Sequence, residues 1–293
     1  MNFFLQLLMQ GIALGTVYAL VGQGLNVTFW TLRVVNFAHG AFLMIGVFLA
    51  LSAVRAGLPL VFALLTGVGC VAVLGALLER VAVRPVLRHT GSMGWIVSTL
   101  GAAIVIQGIA GLVYGPQVQS FPGIIFQPSD VVSVAGIRMS LQLLLLAGVA
   151  LVVLGLFEII VRRTIWGMVL QATSYDAESA QLRGIRVEAV ITTSFVISAA
   201  LAALGGVLIA PITGISPDFG FALLLSGFAA AVVGGMGSSL GTLIGGVTVG
   251  VAELLVGGYV STSAQSAVAF VILIGILMIR PRGLFGKPEL VKV

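Results

Sequence analysis

Residues 219–252 run for 34 positions without one charged side chain, and residues 3–29 do the same for 27. Such stretches leave a chain few choices. In hydrocarbon every backbone N–H and C=O must be satisfied internally, which a helix achieves within one segment. About 20 apolar residues carry a helix across the bilayer core. Runs of that kind fall at roughly 3–29, 36–54, 58–78, 92–113, 140–161, 190–210, 219–236, 240–258 and 262–279. The expected fold is all-α: a polytopic integral membrane helical bundle, with residues 1–293 forming a single domain. It has eight or nine transmembrane helices. The run 219–252 is broken only by Gly234-Gly-Met-Gly-Ser-Ser-Leu-Gly241, which reads as two short spans around a tight turn or as a re-entrant pair.

Charge then decides orientation. Only 8% of residues are charged, where soluble domains carry about 25%. The net charge of +5 does not point to nucleic acid, because the basic residues sit in short loops beside apolar runs, where they set membrane orientation. With nine spans and the N-terminus outside, the cytoplasmic side holds Arg33, Arg80, Arg84, Arg88, Arg162, Arg163, Arg183, Arg186, Arg280, Arg282, Lys287 and Lys292. The outside holds Arg55 and Arg138. The C-terminus is then cytoplasmic. Met1-Asn2-Phe3 lacks a positive n-region, and the run that follows is too long for a signal-peptide core, so it reads as a first span. The single cysteine, Cys70, lies in an apolar run and reads as a small buried packing residue. Residues 114–139, with Pro116, Pro122 and Pro128, read as an irregular external lid. No sequence repeat is evident.

The usual constellations of enzymes are missing from the sequence. His39 and His89 are far apart, no span holds paired carboxylates, and Gly234-Gly-Met-Gly237 lacks the Lys-Ser/Thr of a phosphate loop. Candidate path or gating residues come from polar and flexible positions inside the runs. Glu253 is one, since a charge at the centre of a membrane helix costs about 2.5–3.5 kcal/mol and is functional by default; a snorkelling structural role is its alternative. Asn26, Gln23, Gln107 and Thr99 either line a polar cavity or bond across helices. Asn36-Phe-Ala-His39-Gly40 opens the second span: Asn36 as a helix cap and His39 as a structural residue, or all three lining a membrane-embedded break. Gly234, Gly235 and Gly237 are dense enough for a hinge as well as for close packing.

Residues 162–188 stand apart, with seven charged side chains between two apolar runs. Asp176 sits where it favours a helix N-terminus. Glu178, Ser179, Ala180 and Arg183 follow, and Gly184 is a natural C-terminal cap. Ala172, Ala177, Ala180 and Leu182 supply a small apolar face. A short amphipathic helix ending at Gly184, on the cytoplasmic side, suits docking in a groove of another protein.

Glu178-Ser-Ala-x-x-x-Gly184 resembles the cytoplasmic loop of bacterial ABC importer permeases, with Ser179 in place of a usual alanine. Residues 36–46, Arg163 to Ile185, 234–246 and Pro281-Arg-Gly-Leu-Phe285 narrow the resemblance to the LivH-type branched-chain amino acid permeases. It extends from Gly11 to Phe285. Many members of that family carry an acid where Ala41 stands. The resemblance implies a bacterial inner-membrane permease subunit with no catalysis and no cofactor of its own. It implies a homologous second permease, two ATPase subunits that bind ATP-Mg, and a periplasmic or lipid-anchored substrate-binding protein. The loop would be the coupling helix to the ATPase. The cargo would be branched-chain amino acids or related small amino acids and amides. A gradient-driven secondary transporter of small polar solutes is the alternative; Glu253 is its one good candidate for a coupling-ion ligand.

Overall fold

The computed structural model describes residues 2–89, 94–127, 129–134 and 137–286. Lys287, Lys292, Pro128 and the start of the run at 92 lie outside the described residues. The chain is helical almost throughout: α1 Asn2–Leu32, α2 His39–Arg55, α3 Leu60–Leu78, a π-helical segment Glu79–Val83, α4 Arg84–His89, α5 Gly94–Tyr114, α6 Leu141–Arg163, α7 Ile165–Tyr175, α8 Ala177–Leu182, α9 Val187–Thr213, α10 Phe219–Gly234, α11 Ser239–Tyr259 and α12 Thr262–Ile279. One antiparallel hairpin, β1 Val131–Val134 with β2 Ile137–Ser140, interrupts the all-α expectation at the end of the irregular lid.

Among the described residues, seven helices are long and apolar enough to cross a membrane. α2 and α10 are the two expected spans that miss that length, with 17 and 16 residues. At 1.5 Å per residue each reaches about 25 Å, short of a hydrocarbon core of about 30 Å. Both follow a long helix and a break. α1 ends at Leu32 and α2 begins at His39; α9 ends at Thr213 and α10 begins at Phe219. The run 219–252 is two helices joined by a tight turn, and they pack on each other as a hairpin.

A pattern invisible in the sequence appears in the packing. α1 lies on α11 and α10, while α9 lies on α3 and α2. α2 packs on α3 and α5, as α10 packs on α11 and α12. Exchanging α1 with α9, α2 with α10, α3 with α11 and α5 with α12 maps these pairs onto one another. α1 and α9 run antiparallel, since Gly24 faces Ser198 while Val21 faces Gly205. The two halves are thus related by inversion, an arrangement that places binding sites between the halves.

The bundle interior holds α1, α2, α9 and α10. α3, α5, α6 and α12 keep most of their surface outward: α9's membrane window is 72% buried, α5's 11%. Cys70 is exposed on α3, not buried as the apolar context suggested. In lipid an apolar face need not turn inward, so an apolar neighbourhood does not mark the core.

Candidate functional site

The site is built by the two breaks. α2 and α10 cross at their first turns, where glycine permits contact between backbones: a Cβ placed on Gly220 would lie 1.9 Å from the Gly40 carbonyl oxygen. A cleft of ≈ 30 Å³ opens beside this crossing. Phe37, Gly40, Ala41 and Met44 face it from the α2 side. Pro217, Gly220, Phe221 and Leu224 face it from the α10 side, and Ala103 and Gln107 from α5. The first N–H groups of a helix have no acceptor within it, and the macrodipole adds partial positive charge there. Two such ends meet at this cleft. Asp218, just ahead of α10, accepts a hydrogen bond from Gln107 Nε2 at 2.7 Å. The cleft therefore combines two helix N-terminal ends and apolar walls, with the Asp218 carboxylate outside the lining and tied to it through Gln107.

The expected path residues divide. Gly40 lines the cleft. His39 begins α2 but turns the other way: it is fully buried, and its Nδ1 shares a hydrogen bond of 3.1 Å with Ser198 Oγ on α9. Asn36 does not cap α2. Its Oδ1 accepts from the Ala38 N–H at 3.0 Å, shaping the break instead. Glu253 is buried away from the cleft, where its two carboxylate oxygens accept from Tyr18 Oη at 2.6 Å and Ser226 Oγ at 2.9 Å. It bridges α11, α1 and α10.

Gly234, Gly235 and Gly237 form the α10–α11 turn. Gly235 and Gly237 have φ of +96° and +94°. The turn is pinned by Gly237 N–H to Asn26 Oδ1 at 3.2 Å, and by Leu284 and Phe285 N–H to the carbonyls of Val233 and Gly234. Asn26 also donates to Thr242 Oγ1 at 2.6 Å. None of the three glycines lines the cleft.

Among the residues missed by sequence reading are Asp218, Met44, Phe221 and Leu224. Asp218 carried a signal, as the one acid between Glu188 and Glu253. The others were apolar residues in apolar runs.

The loop 162–188 contains two helices instead of one. Thr164 caps α7, accepting from Gly167 N–H at 3.4 Å, and Asp176 caps α8, accepting from the N–H groups of Glu178 and Ser179, each at 3.1 Å. Ser179 Oγ adds a third hydrogen bond to Asp176 at 2.9 Å. Gly184 closes α8 with φ +85°, while the Ile185 N–H reaches back to the Ala180 carbonyl at 3.1 Å. Ala180 faces inward; Glu178, Leu182, Arg183 and Gly184 are exposed. Just beyond, Arg84 ties the start of α9 to the π-segment. Its guanidinium donates to both oxygens of buried Glu79, at 2.9 and 3.0 Å, to Glu188 at 3.0 Å and to Thr192 at 2.9 Å.

Among the described residues no group of His, Cys, Asp and Glu could hold a metal ion. An inverted helical bundle that closes on a central cleft between two broken helices is the architecture of a membrane permease. The chain belongs to the branched-chain amino acid transport system / permease component family, whose sequence profile matches residues 7–279. It is 33% identical over 306 residues to the high-affinity branched-chain amino acid transport system permease protein LivH of Salmonella typhimurium, covering 99% of this chain and 98% of that protein. LivH of Escherichia coli matches to the same extent. BraD of Pseudomonas aeruginosa, with the same description, is 33% identical over 305 residues, again covering 99% and 98%.

Two solved structures share the fold. PsaBC from Streptococcus pneumoniae in complex with Fab matches at TM-score 0.50 and 16% identity, over 96% of this chain and 93% of that one. A metal-chelate type ABC transporter in an inward-facing conformation matches at TM-score 0.50 and 18% identity, over 94% and 85%. The chain is a multi-pass membrane permease.

Proposed function

We propose that the chain is a permease subunit of an ATP-driven importer of branched-chain amino acids or closely related small amino acids. It works in the bacterial inner membrane beside a homologous second permease, two ATPase subunits and an external substrate-binding protein. The observation that carries this reading is the meeting of the first turns of α2 and α10 at one cleft, in a chain of this family. The two helix ends favour a carboxylate, Asp218 suits an ammonium group, and Met44, Phe221 and Leu224 suit an aliphatic side chain. A zwitterion with a branched apolar tail matches that set. At ≈ 30 Å³ the cleft has room for about one water, so α2 and α10 must part before substrate enters.

Energy comes from the ATPase partners. The segment from Thr164 to Gly184, cytoplasmic by its place among the arginines, docks on them as a coupling element through exposed Glu178, Leu182 and Arg183. Asp176 and Gly184 hold α8 in shape, Ser179 reinforces the Asp176 cap, and Ala180 anchors α8 inward. Arg84 passes movement of the α9 start to the π-segment.

The test is leucine uptake by the complete transporter in liposomes. Uptake should require hydrolysable ATP and survive collapse of the proton gradient. Asp218→Asn should reduce it about tenfold or more, since a hydrogen bond to a charged group contributes about 1.5–3 kcal/mol. Uptake that ran on the gradient without ATP would overturn the proposal.

A further inference from the structure

A second cleft, ≈ 240 Å³ in volume, is lined by apolar residues alone. Val27 of α1, Phe157, Ile160 and Val161 of α6, and Trp166 and Leu170 of α7 form most of its wall. The transport reading gives none of these side chains a role of its own. Ile160 and Trp166 are half exposed, at 49% and 45%, and Ile160 continues the exposed apolar row of Leu151, Leu156 and Ile159 along α6. That row belongs to a helix apolar enough to cross a membrane, only 22% buried within the chain. Exposed apolar surface on a helix of this kind suits contact with lipid.

The same end of the bundle carries positive charge. Arg162 and Arg163 close α6 and both are exposed; Arg162 donates through Nε to the Glu158 carboxylate one turn back. Trp30 of α1 stacks on Phe157 with ring centroids 6.0 Å apart, which sets α1 level with α6. Three residues past Trp30, Arg33 is exposed, with φ +56° and its guanidinium over the Phe29 ring. A peptide in this cleft would leave backbone N–H and C=O groups without partners; an acyl chain has none to satisfy. Indole rings and basic side chains at the membrane surface face headgroups.

We infer that this cleft binds one acyl chain of an anionic phospholipid, with its phosphate headgroup on Arg162, Arg163 and Arg33. The lipid wedges between α6 and α7, the helix that leads to Asp176, and so sets the angle at which that segment leaves the membrane.

The full-length chain in lipid nanodiscs tests this, with Trp95→Phe leaving Trp30 and Trp166, both beside the cleft. The probes are phosphatidylglycerol and phosphatidylcholine, each brominated on the acyl chain. Tryptophan fluorescence should be half quenched at a lower mole fraction of the anionic lipid. Arg163→Gln should raise that mole fraction about fivefold, the effect of one basic residue at an anionic surface, while leaving the phosphatidylcholine curve in place. Leu170→Phe, which narrows the cleft, should weaken quenching by the anionic lipid with the helical circular dichroism intact. Coincident curves for the two lipids in the unsubstituted cleft would overturn the inference. So would an anionic preference that survives replacement of all three arginines by glutamine.

Discussion

Glu253 shows how a single side chain can carry opposite meanings. An acid in the middle of an apolar run is costly and suggests function, yet both of its oxygens are taken, by Tyr18 and Ser226. Through them it bridges α11, α1 and α10. Glu253→Gln can keep both contacts, because the phenol and the hydroxyl each donate or accept; it should leave uptake and thermal stability near the parent values. Glu253→Leu strands two buried hydroxyls at about 1–3 kcal/mol each and should lower the melting temperature of the purified protein. A Glu253→Gln protein that melts normally but no longer transports would show that the carboxylate does more than clamp. Sequence could identify Glu253 as unusual. It could not say whether Tyr18, 235 positions away, completes it.

Among the elements, α8 was the most legible. Asp176 and Gly184 flank the six-residue α8 and its last capping residue Arg183, and both act as sequence-based capping rules expect. What those rules did not separate is α7 from α8. Asp176 takes an extended backbone to cap α8 and thereby ends α7 at Tyr175, so the cap of one helix is the terminator of the other. Asp176→Ala should cost about 0.5–2 kcal/mol of local helix stability. Stimulation of the ATPase by loaded binding protein should fall while membrane insertion is unchanged. Stimulation equal to the parent's would count against a coupling role. α2 and α10 were less legible. The sequence left a short or broken span open at both, because hydropathy counts residues and does not see where a helix begins. Their breaks, 33–38 and 214–218, are where the chain turns to bring Gly40 and Gly220 together.

At the scale of the molecule, the distribution of arginine gives an orientation that can be tested directly. With Cys70 replaced by alanine, a cysteine at Ser179 should react with an impermeant maleimide only from the cytoplasmic side, and one at Ser120 only from outside. The reverse labelling pattern would invert the account of coupling.

The sequence by itself determined that this chain is a helical membrane protein, roughly where its apolar helices fall, which segment is polar and where that segment's last helix is capped. Those properties are local: they depend on composition over about 20 residues or on hydrogen bonds between near neighbours. Only the tertiary structure decided the inverted pairing of the halves, the burial of Glu253 and the cleft at the α2–α10 crossing. These depend on backbones approaching within contact distance across the bundle. In a chain where lipid-facing and core-facing positions are equally apolar, hydropathy carries no record of which surface meets which.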